Sequence, residues 1–561
     1  MVAMAVSVTI SKLRFNDGTE VELGDDDILV IVGPNNSGKS KSLRDIQQQI
    51  SGEDPTTKVV IGSSLRKDGT MEEFDAWFDT RIKNRDTDDP SAVGLGTTIQ
   101  KSTAKKRWAE QDKLRNLAPF FSVLVDTAGR LGIVQPPSPI NKRIDTPNHP
   151  IHLLYGNDDL SKLVNDRFHE AFGTDLTLNY AAGNILPLHV GDAPVRAPEE
   201  ERISTTYIER LEALPLLHEQ GDGMKSFVGS LLHALVGDRS IVLLDEPEAF
   251  LHPPQAIMLG SMLATNKPSG KQLVIATHSG DLLHGLLDSG KPIQVVRLTR
   301  EGNVNHASIL KSSDVAVLWK NPLFRFSNIL DGLFHEQVVV CEADADCRFY
   351  AAVNDKAPQS ITRYSETMFT YGGGKDRIAT IVRSLRSLNV PVDAVLDFDV
   401  LSAERPLKDI VEALGGVWAD VEGDWSIVKA SVEKSTPALN TDLLKVQTAN
   451  SLADASDATS LGKIADHIKA TLRASRPWAN TKQSGLSGLE PGNVSDAAQK
   501  LLEKLAVLGL HVVPCGELEQ LAPSIQCRKL AWVIEVVKRD LSIDPELEAA
   551  RKFVETVTRK S

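Results

Sequence analysis

Residues 33–40 read Gly33-Pro34-Asn35-Asn36-Ser37-Gly38-Lys39-Ser40. An apolar run, Ile28-Leu29-Val30-Ile31-Val32, leads into them, and a helical pattern over residues 41–50 follows. A buried strand that breaks into a glycine-rich turn and enters a helix constrains the chain strongly. It calls for a central sheet with helices packed on it, an α/β fold. Such a turn aims backbone N–H groups and the positive end of a helix dipole at one point, which suits phosphate. Lys39 is then placed for the β- and γ-phosphates of a nucleotide, and the Ser40 hydroxyl for Mg²⁺.

At 561 residues the chain has room for several domains, each with its own core. No apolar run approaches the roughly 18–20 residues that a bilayer span needs, so no membrane role is expected. The segment MVAMAVSVTISKLRF lacks a basic stretch before its apolar residues and reads as a first strand. Cys341, Cys347, Cys515 and Cys527 have neither CxxC spacing nor a histidine-rich partner, which fits reduced thiols in a cytoplasm. The net charge of −13 argues against coating nucleic acid by bulk electrostatics but leaves room for one local basic channel.

From Val6 to Ile31, strand-like runs broken by Asn16-Asp17-Gly18 and Gly24-Asp25 predict a small antiparallel layer. Phe74, Trp77 and Phe78 share a predicted helix and read as a packing face. Lys101, Lys105, Lys106, Arg107, Lys113 and Arg115 form a basic cluster, with a solvated helix face favoured over a DNA-backbone contact. Asp126-Thr127-Ala128-Gly129-Arg130 resembles the second nucleotide motif of signal-recognition-particle GTPases, yet no base-reading TKxD segment accompanies it. It is expected at a strand end near the nucleotide, with Arg130 touching phosphate or a neighbouring subunit. Residues 136–200, opening on Pro136-Pro137-Ser138-Pro139, read as an insertion with one amphipathic helix over 160–172.

Further on, Ser-Ile-Val-Leu-Leu delivers Asp245 and Glu246 at a strand end, where ligands of α/β sheets bind. Asp245 is expected to hold Mg²⁺, and Glu246 to orient or deprotonate the attacking water. A second buried run, Leu273-Val274-Ile275-Ala276-Thr277, ends at His278, suited to sensing the γ-phosphate. Gly221-Asp222-Gly223-Met224-Lys225 opens a predicted helix over 226–235, its glycines offering backbone donors to phosphate from a neighbouring subunit. These four pieces in this order resemble the ATP-binding cassette (ABC) type ATPases of chromosome maintenance and recombination. The resemblance implies ATP as ligand and a homodimer or higher oligomer of heads, with ATP between the phosphate loop and the Gly221–Gly223 segment. It places the head at residues 1–320, with its inserted arm about 136–205. The serine usual in that segment is replaced by Gly221 or Asp222, so only backbone donors remain.

After Leu323-Phe324-Arg325 the pattern changes. Val338-Val339-Val340-Cys341 ends in Glu342; Gly372-Gly373-Gly374-Lys375-Asp376 precedes a predicted helix; Asp393-Ala394-Val395-Leu396 delivers Asp397-Phe398-Asp399. Strand alternation would set Asp397 and Asp399 side by side, with Glu342 joining them from a neighbouring strand. Three carboxylates so gathered imply a divalent cation, Mg²⁺ or Mn²⁺. Glu517 and Glu519, at a later strand end, complete a second metal position on one reading and merely open a solvated helix on the other. A strand-end glutamate, a glycine-rich turn and a later DxD resemble the TOPRIM fold of topoisomerases, primases and some nucleases. Ala343 stands where that fold has glycine. The module is expected over 321–561, a TOPRIM-like Rossmannoid domain with a helical extension inserted at about 401–508.

An ABC-type ATPase joined to a TOPRIM module resembles the overcoming-lysogenization-defect (OLD) family of nucleases, with related pairings in the Gabija and PARIS anti-phage systems. That resemblance implies an ATP-controlled, metal-dependent nuclease of bacterial defence, with DNA favoured over RNA and with a companion protein or phage trigger as a further partner. Glu342, Asp397 and Asp399 would carry phosphodiester cleavage, Lys375 would stabilise the scissile phosphate, and Lys39, Ser40, Asp245, Glu246 and His278 would turn over ATP. The alternative is an ATPase sensor or scaffold whose TOPRIM module is degenerate, or acts on RNA such as tRNA.

Overall fold

A computed structural model describes residues 6–52, 57–82, 87–94, 96–198, 200–320, 328–356, 366–435, 441–453, 465, 468–469 and 477–558. The chain forms two compact units, Met1–Phe334 and His335–Ser561. The pattern change after Leu323-Phe324-Arg325 lies outside the described residues, as does most of the Ser/Asn/Thr/Gly-rich middle of the 401–508 extension.

In the first unit, six strands run in the order Val304–Leu310, Gln294–Glu301, Ile28–Val32, Gln272–Ala276, Ile241–Asp245, Ser122–Val125. All neighbours are parallel except the first pair, an antiparallel hairpin at the edge. Ile28–Val32 is buried at every position, the near-continuous apolar run expected of a strand covered on both faces. The carboxyl ends of four parallel strands therefore open side by side, bringing Gly33, Glu246, Thr277 and Asp126 to one edge.

A separate three-stranded antiparallel layer, Glu20–Glu22, Ser7–Phe15 and Val60–Asp68, covers the start of the chain as the turn signals predict. Gln272 ties it to the main sheet: its side chain accepts from Ile10 N at 2.7 Å and donates to Ile10 O at 2.8 Å. Phe74 and Phe78, on the helix Met71–Asp79, are fully buried, and Phe74 stacks on Trp108 while Trp77 stacks on Phe121. The basic cluster is largely neutralised within its own surface: Lys101 pairs with Asp79, Lys105 with Asp75, and Arg107 and Arg115 both with Glu110.

The 136–200 insertion holds the helices Pro150–Gly156 and Asp158–Phe172 and the hairpin Leu176–Leu178/Leu188–Val190. It folds back on the head. Phe168 packs on Phe172, and Phe172 meets Phe227 edge-to-face.

The second unit has a four-stranded, all-parallel sheet in the order Thr367–Tyr371, Gln337–Cys341, Val392–Leu396, Leu510–Val512. Parallel neighbours need crossover helices, and Asp344–Lys356 and Lys375–Ser387 supply the first two. Between the third and fourth strands the chain makes a long helical detour, in which Ala419–Ser435 packs along Asn493–Val507. Trp425 pins that detour to the turn that follows Val392–Leu396 by donating to Leu401 O at 2.9 Å.

Candidate functional sites

The phosphate loop is built by close backbone approach. Gly33 has φ 144°, and a Cβ there would come within 2.1 Å of the Leu298 carbonyl oxygen on the adjacent strand. Gly38 (φ 100°) caps the helix Lys39–Ser51 in a conformation that glycine adopts without steric cost. Asn36 adopts φ 61° between them, a left-handed position that asparagine tolerates better than most residues. Lys39 is buried and donates from Nζ to the carbonyls of Gly33 and Pro34 at 2.8 and 2.9 Å. Asn305 holds the loop from the edge hairpin, donating from Nδ2 to Ser37 O at 2.6 Å. Asp45 anchors the same helix, its Oδ2 accepting the N–H groups of Lys58, Val59 and Val60 at 3.0, 2.7 and 3.1 Å.

Ser40 hydrogen-bonds Asp245, whose carboxyl is pushed above the usual range first by burial and then by the neighbouring Glu246 charge. Asp245 Oδ1 is buried without a hydrogen-bond partner. A serine hydroxyl beside a carboxylate with a spare lone pair is the hard-oxygen donor set that Mg²⁺ takes, so the residues present fit the ion.

Glu246 stands at φ 48°, strained for a residue with a Cβ, and its N–H donates to Ala276 O at 2.8 Å. That turn sends its side chain to His278, with Oε1 3.2 Å from Nδ1. Glu248 lies beneath: burial raises its carboxyl, and it accepts from Thr277 Oγ1 at 2.6 Å. Phosphate loop, Asp245, Glu246 and His278 thus share one strand-end edge.

Arg130 corrects an expectation. It is fully buried and touches no surface from which phosphate or another subunit is reached. Its guanidinium donates to Asp245 O at 2.5 Å, Glu246 O at 2.8 Å and Ser226 Oγ at 3.1 Å. A strand-end motif next to the nucleotide edge suggested a ligand contact; the planar fork instead binds main-chain carbonyls.

The helix after Gly221 starts earlier than its pattern suggests, spanning Asp222–Leu231, and passes into a π-helical turn, Leu232–Val236. Gly221 is its N-cap, facing open space, whereas a Cβ at Gly223 would lie 2.9 Å from Phe250 O. Within the described first unit these two glycines stand on a helix start of the head's own surface.

In the second unit, Glu342 directly follows the strand Gln337–Cys341, and its carbonyl accepts from Gly374 N at 3.1 Å. That bond fastens the glycine turn Gly372-Gly373-Gly374 to the strand end and starts the helix Lys375–Ser387 beside it. The Lys375 charge acts on Glu342, and its side chain lines a cleft of about 270 Å³ with Asp376, Arg405 and Asp409.

The strand alternation expected for Asp397 and Asp399 does not occur. Val392–Leu396 ends first, and residues Phe398–Ser402 form a 3-10 turn capped by Asp397. The reason lies across the sheet: Phe398 N donates to Gly516 O at 2.8 Å, bending the chain over the end of the fourth strand. The two carboxylates still meet, through Lys482. Its Nζ lies 2.7 Å from Asp399 Oδ2 and 4.0 Å from Asp397 Oδ2.

Two residues join this site that the sequence motifs do not include. Asp346 accepts from Ala343 N at 2.9 Å, and burial lifts its carboxyl to about 6. Lys482 belongs to the helix Ala479–Ser484 in the detour, 83 residues from Asp399. Burial raises Glu342 and Asp397, with Asp399 adding to the first and Asp346 and Glu342 to the second. Glu517 is raised by burial and by Glu519, and Asp399 and Lys482 also act on it. Glu519 itself accepts from Lys529 N at 2.7 Å.

Glu342 Oε2 and Asp399 Oδ1 are buried and unpartnered. Among the described residues no three His, Cys, Asp or Glu side chains close on one point as a ready-made metal cage. The donors are of the right kind for Mg²⁺ or Mn²⁺, and Lys482, with Lys375 acting on Glu342, offsets their charge here.

Residues 134–283 match a family model described as "AAA domain, putative AbiEii toxin, Type IV TA system". The chain is 23% identical to the Old nuclease of Escherichia phage P2 over 169 residues, covering 29% of this chain and 28% of that protein. It is 18% identical to Endonuclease GajA of Bacillus cereus (strain HuB5-5) over 416 residues, covering 68% of this chain and 57% of that protein. The chain thus spans less than two thirds of either curated relative. Among solved structures, an SMC head bound to the C-terminal winged-helix domain of ScpA is similar at 10% identity and TM-score 0.33, over 54% of this chain and 98% of that one. The SMC head domain from Thermotoga maritima is similar at 13% identity and TM-score 0.27, over 55% and 99%. No helix among the described residues is long and apolar enough to cross a membrane. With its phosphate loop at the sheet edge, the chain is thus similar, over the spans matched, to two proteins named as nucleases and to an AAA-type ATPase domain.

Proposed function

We propose that the protein is an ATP-controlled, divalent-metal-dependent endonuclease of the OLD type, cutting nucleic acid in defence against phage. The observation that carries the reading is Lys482 lying within 4.0 Å of both Asp397 and Asp399 at the strand ends of a parallel sheet, with the charges of Glu342 and Asp346 also acting on it. Buried carboxylates that repel one another are costly unless a cation serves them. GajA, which matches the larger share of this chain, is named an endonuclease.

In the head, the amides of Gly33, Pro34, Asn35, Asn36, Ser37 and Gly38 would cradle the phosphates of ATP, with Lys39 on the β- and γ-phosphates. Ser40 and Asp245 would hold Mg²⁺. Glu246, aimed by its left-handed backbone, would accept the proton of the attacking water, and His278, 3.2 Å away, would steady it and sense the γ-phosphate. Gly221 and Gly223 would offer backbone donors to the ATP of a second copy, which makes a homodimer or larger homo-oligomer the working form. In the second unit, a divalent ion held by Glu342, Asp397 and Asp399, with Glu517 at a second position, would activate water and neutralise charge in an in-line displacement. Lys375 would face the scissile phosphate, and the unit as a whole is read as TOPRIM-like.

Incubating the purified protein with plasmid DNA and with tRNA, with and without Mn²⁺ and ATP, tests this reading. DNA cleavage that needs Mn²⁺ and disappears in Asp397→Ala is the expected result. Cleavage of tRNA alone would redirect the nuclease to RNA. No cleavage of either, together with an Asp397→Ala variant that is silent in cells, would favour the second reading, a sensor or scaffold. The Lys482 contact, which holds the carboxylates in a neutralised state, is the observation behind that alternative.

A further inference from the structure

The helix that carries Lys482 is fixed by contacts that leave its backbone little room to move. A Cβ at Gly485 would lie 2.0 Å from Pro514 O, and one at Gly516 would lie 2.3 Å from Lys482 O. Leu486 N donates to Pro514 O at 2.9 Å, and Gly516 N donates to Val513 O at 3.2 Å. Two glycines facing backbone atoms thus clamp the helical detour to the end of the fourth strand. The lysine is delivered to Asp399 by a rigid seat and not by a surface tether.

From that seat the ammonium offsets the charge of the carboxylates a metal ion would use, holding one Asp399 oxygen directly. Nζ sits 2.7 Å from Asp399 Oδ2, a charge-assisted hydrogen bond, while Asp399 Oδ1 and Glu342 Oε2 stay unpartnered beside it. An ammonium and a divalent ion repel each other at such separations. For the same carboxylate oxygens the two compete.

The geometry points to Lys482 as a resident counter-cation that a divalent ion must displace before the carboxylate site is loaded. This inference rests on the metal-dependent nuclease reading. It adds that metal entry and lysine departure are one event. The clamp stays in place, so the side chain swings from a fixed backbone and its ammonium is released beside the loaded site. Lys482 is thereby a positioning residue, and it gives a segment far away in sequence a say in when the site takes metal.

The test uses the full chain without nucleotide. Mn²⁺ binding is titrated by the resonance of the free ion for wild type, Lys482→Met, Lys482→Arg and Asp397→Asn. The binding lost in Asp397→Asn defines the site. At that site Lys482→Met is expected to bind Mn²⁺ about tenfold more tightly, about 1.4 kcal/mol, and Lys482→Arg no more tightly than wild type. A second measurement needs no variant: labelling of Lys482 by an amine-reactive reagent, read by mass spectrometry, should rise several-fold when Mn²⁺ is added to wild type. Unchanged or weaker Mn²⁺ binding by Lys482→Met, or labelling indifferent to Mn²⁺, overturns the displacement. Wild-type protein with no Asp397-dependent Mn²⁺ binding would instead overturn the metal reading beneath it.

Discussion

Arg130 donates its guanidinium to the main-chain carbonyl of Asp245, and with the same fork to that of Glu246. A third donor reaches Ser226 on the helix that begins at Gly221. One buried cation therefore joins the strand end carrying Asp245 and Glu246 to the helix proposed to serve a neighbouring copy's ATP. Gly229, on the same helix, lies so close that a Cβ there would stand 2.2 Å from Arg130 O.

Arg130→Met is expected to lower stability by about 3 kcal/mol or more, because the carbonyls of Asp245 and Glu246 and the hydroxyls of Ser226 and Thr127 lose their donor inside the core. Arg130→Lys should not restore it, since an ammonium cannot reproduce the planar fork. Thermal melting with ATP turnover checks this; an Arg130→Met chain that melts like wild type would show that the fork carries no weight.

Glu246→Gln should leave ATP binding intact while slowing hydrolysis by roughly 10²–10⁴, the usual contribution of a positioned base. Lys39→Ala should instead remove binding. Equilibrium binding of a fluorescent ATP analogue, set beside phosphate release, separates the two. Loss of binding in Glu246→Gln would assign that residue to the cradle.

Asp397→Asn should abolish metal-dependent cleavage and, in metal-free buffer, stabilise the protein. It removes one of several buried negative groups that raise one another's proton affinity. A melting temperature that falls in the asparagine variant would mean that the Lys482 contact outweighs the repulsion.

Lys271 supplies a pH test remote from both sites. It is buried, donates to Gly237 O at 2.5 Å, and burial lowers its ammonium to about 7 from 10.5. Between those values the unfolded chain holds a proton that the folded chain has released. Stability from this residue must then rise with pH from about 7 to 10.5 and be flat outside that window. Denaturant midpoints of wild type and Lys271→Met across that range should differ in slope, the variant lacking the rise; parallel curves would refute it.

What is legible in the sequence is what depends on neighbours along the chain. The phosphate loop, its strand and its helix are contiguous, and so are the strand ends carrying Asp245, His278 and Glu342. The signal fails where a distant segment decides. Nothing in residues 392–399 announces that Phe398 will bond to Gly516 and end the strand at Leu396. Lys482 sits in a short helix with no charge pattern pointing to Asp399. Arg130 misleads because a motif at a strand end says that a cation is near the nucleotide edge, but not which way the side chain turns. Asp346 has a readable sign, the alternating Glu-Ala-Asp-Ala-Asp run, in which only a helix start explains why the last carboxylate folds back on Ala343 N.

The detour between the third and fourth strands also sets a timetable. Residues 397–509 must leave the ribosome before Leu510–Val512 can pair with Val392–Leu396. At about 5–20 residues per second that is a wait of roughly 6–23 s. Through that interval Asp397 and Asp399 exist on the nascent chain, but the strand that bends them into place and the Gly516 turn that seats Lys482 do not. On the proposed reading, the carboxylate site cannot be assembled until the fourth strand and the Gly516 turn have been made, so a nascent chain that stops short of them carries the carboxylates without their seat.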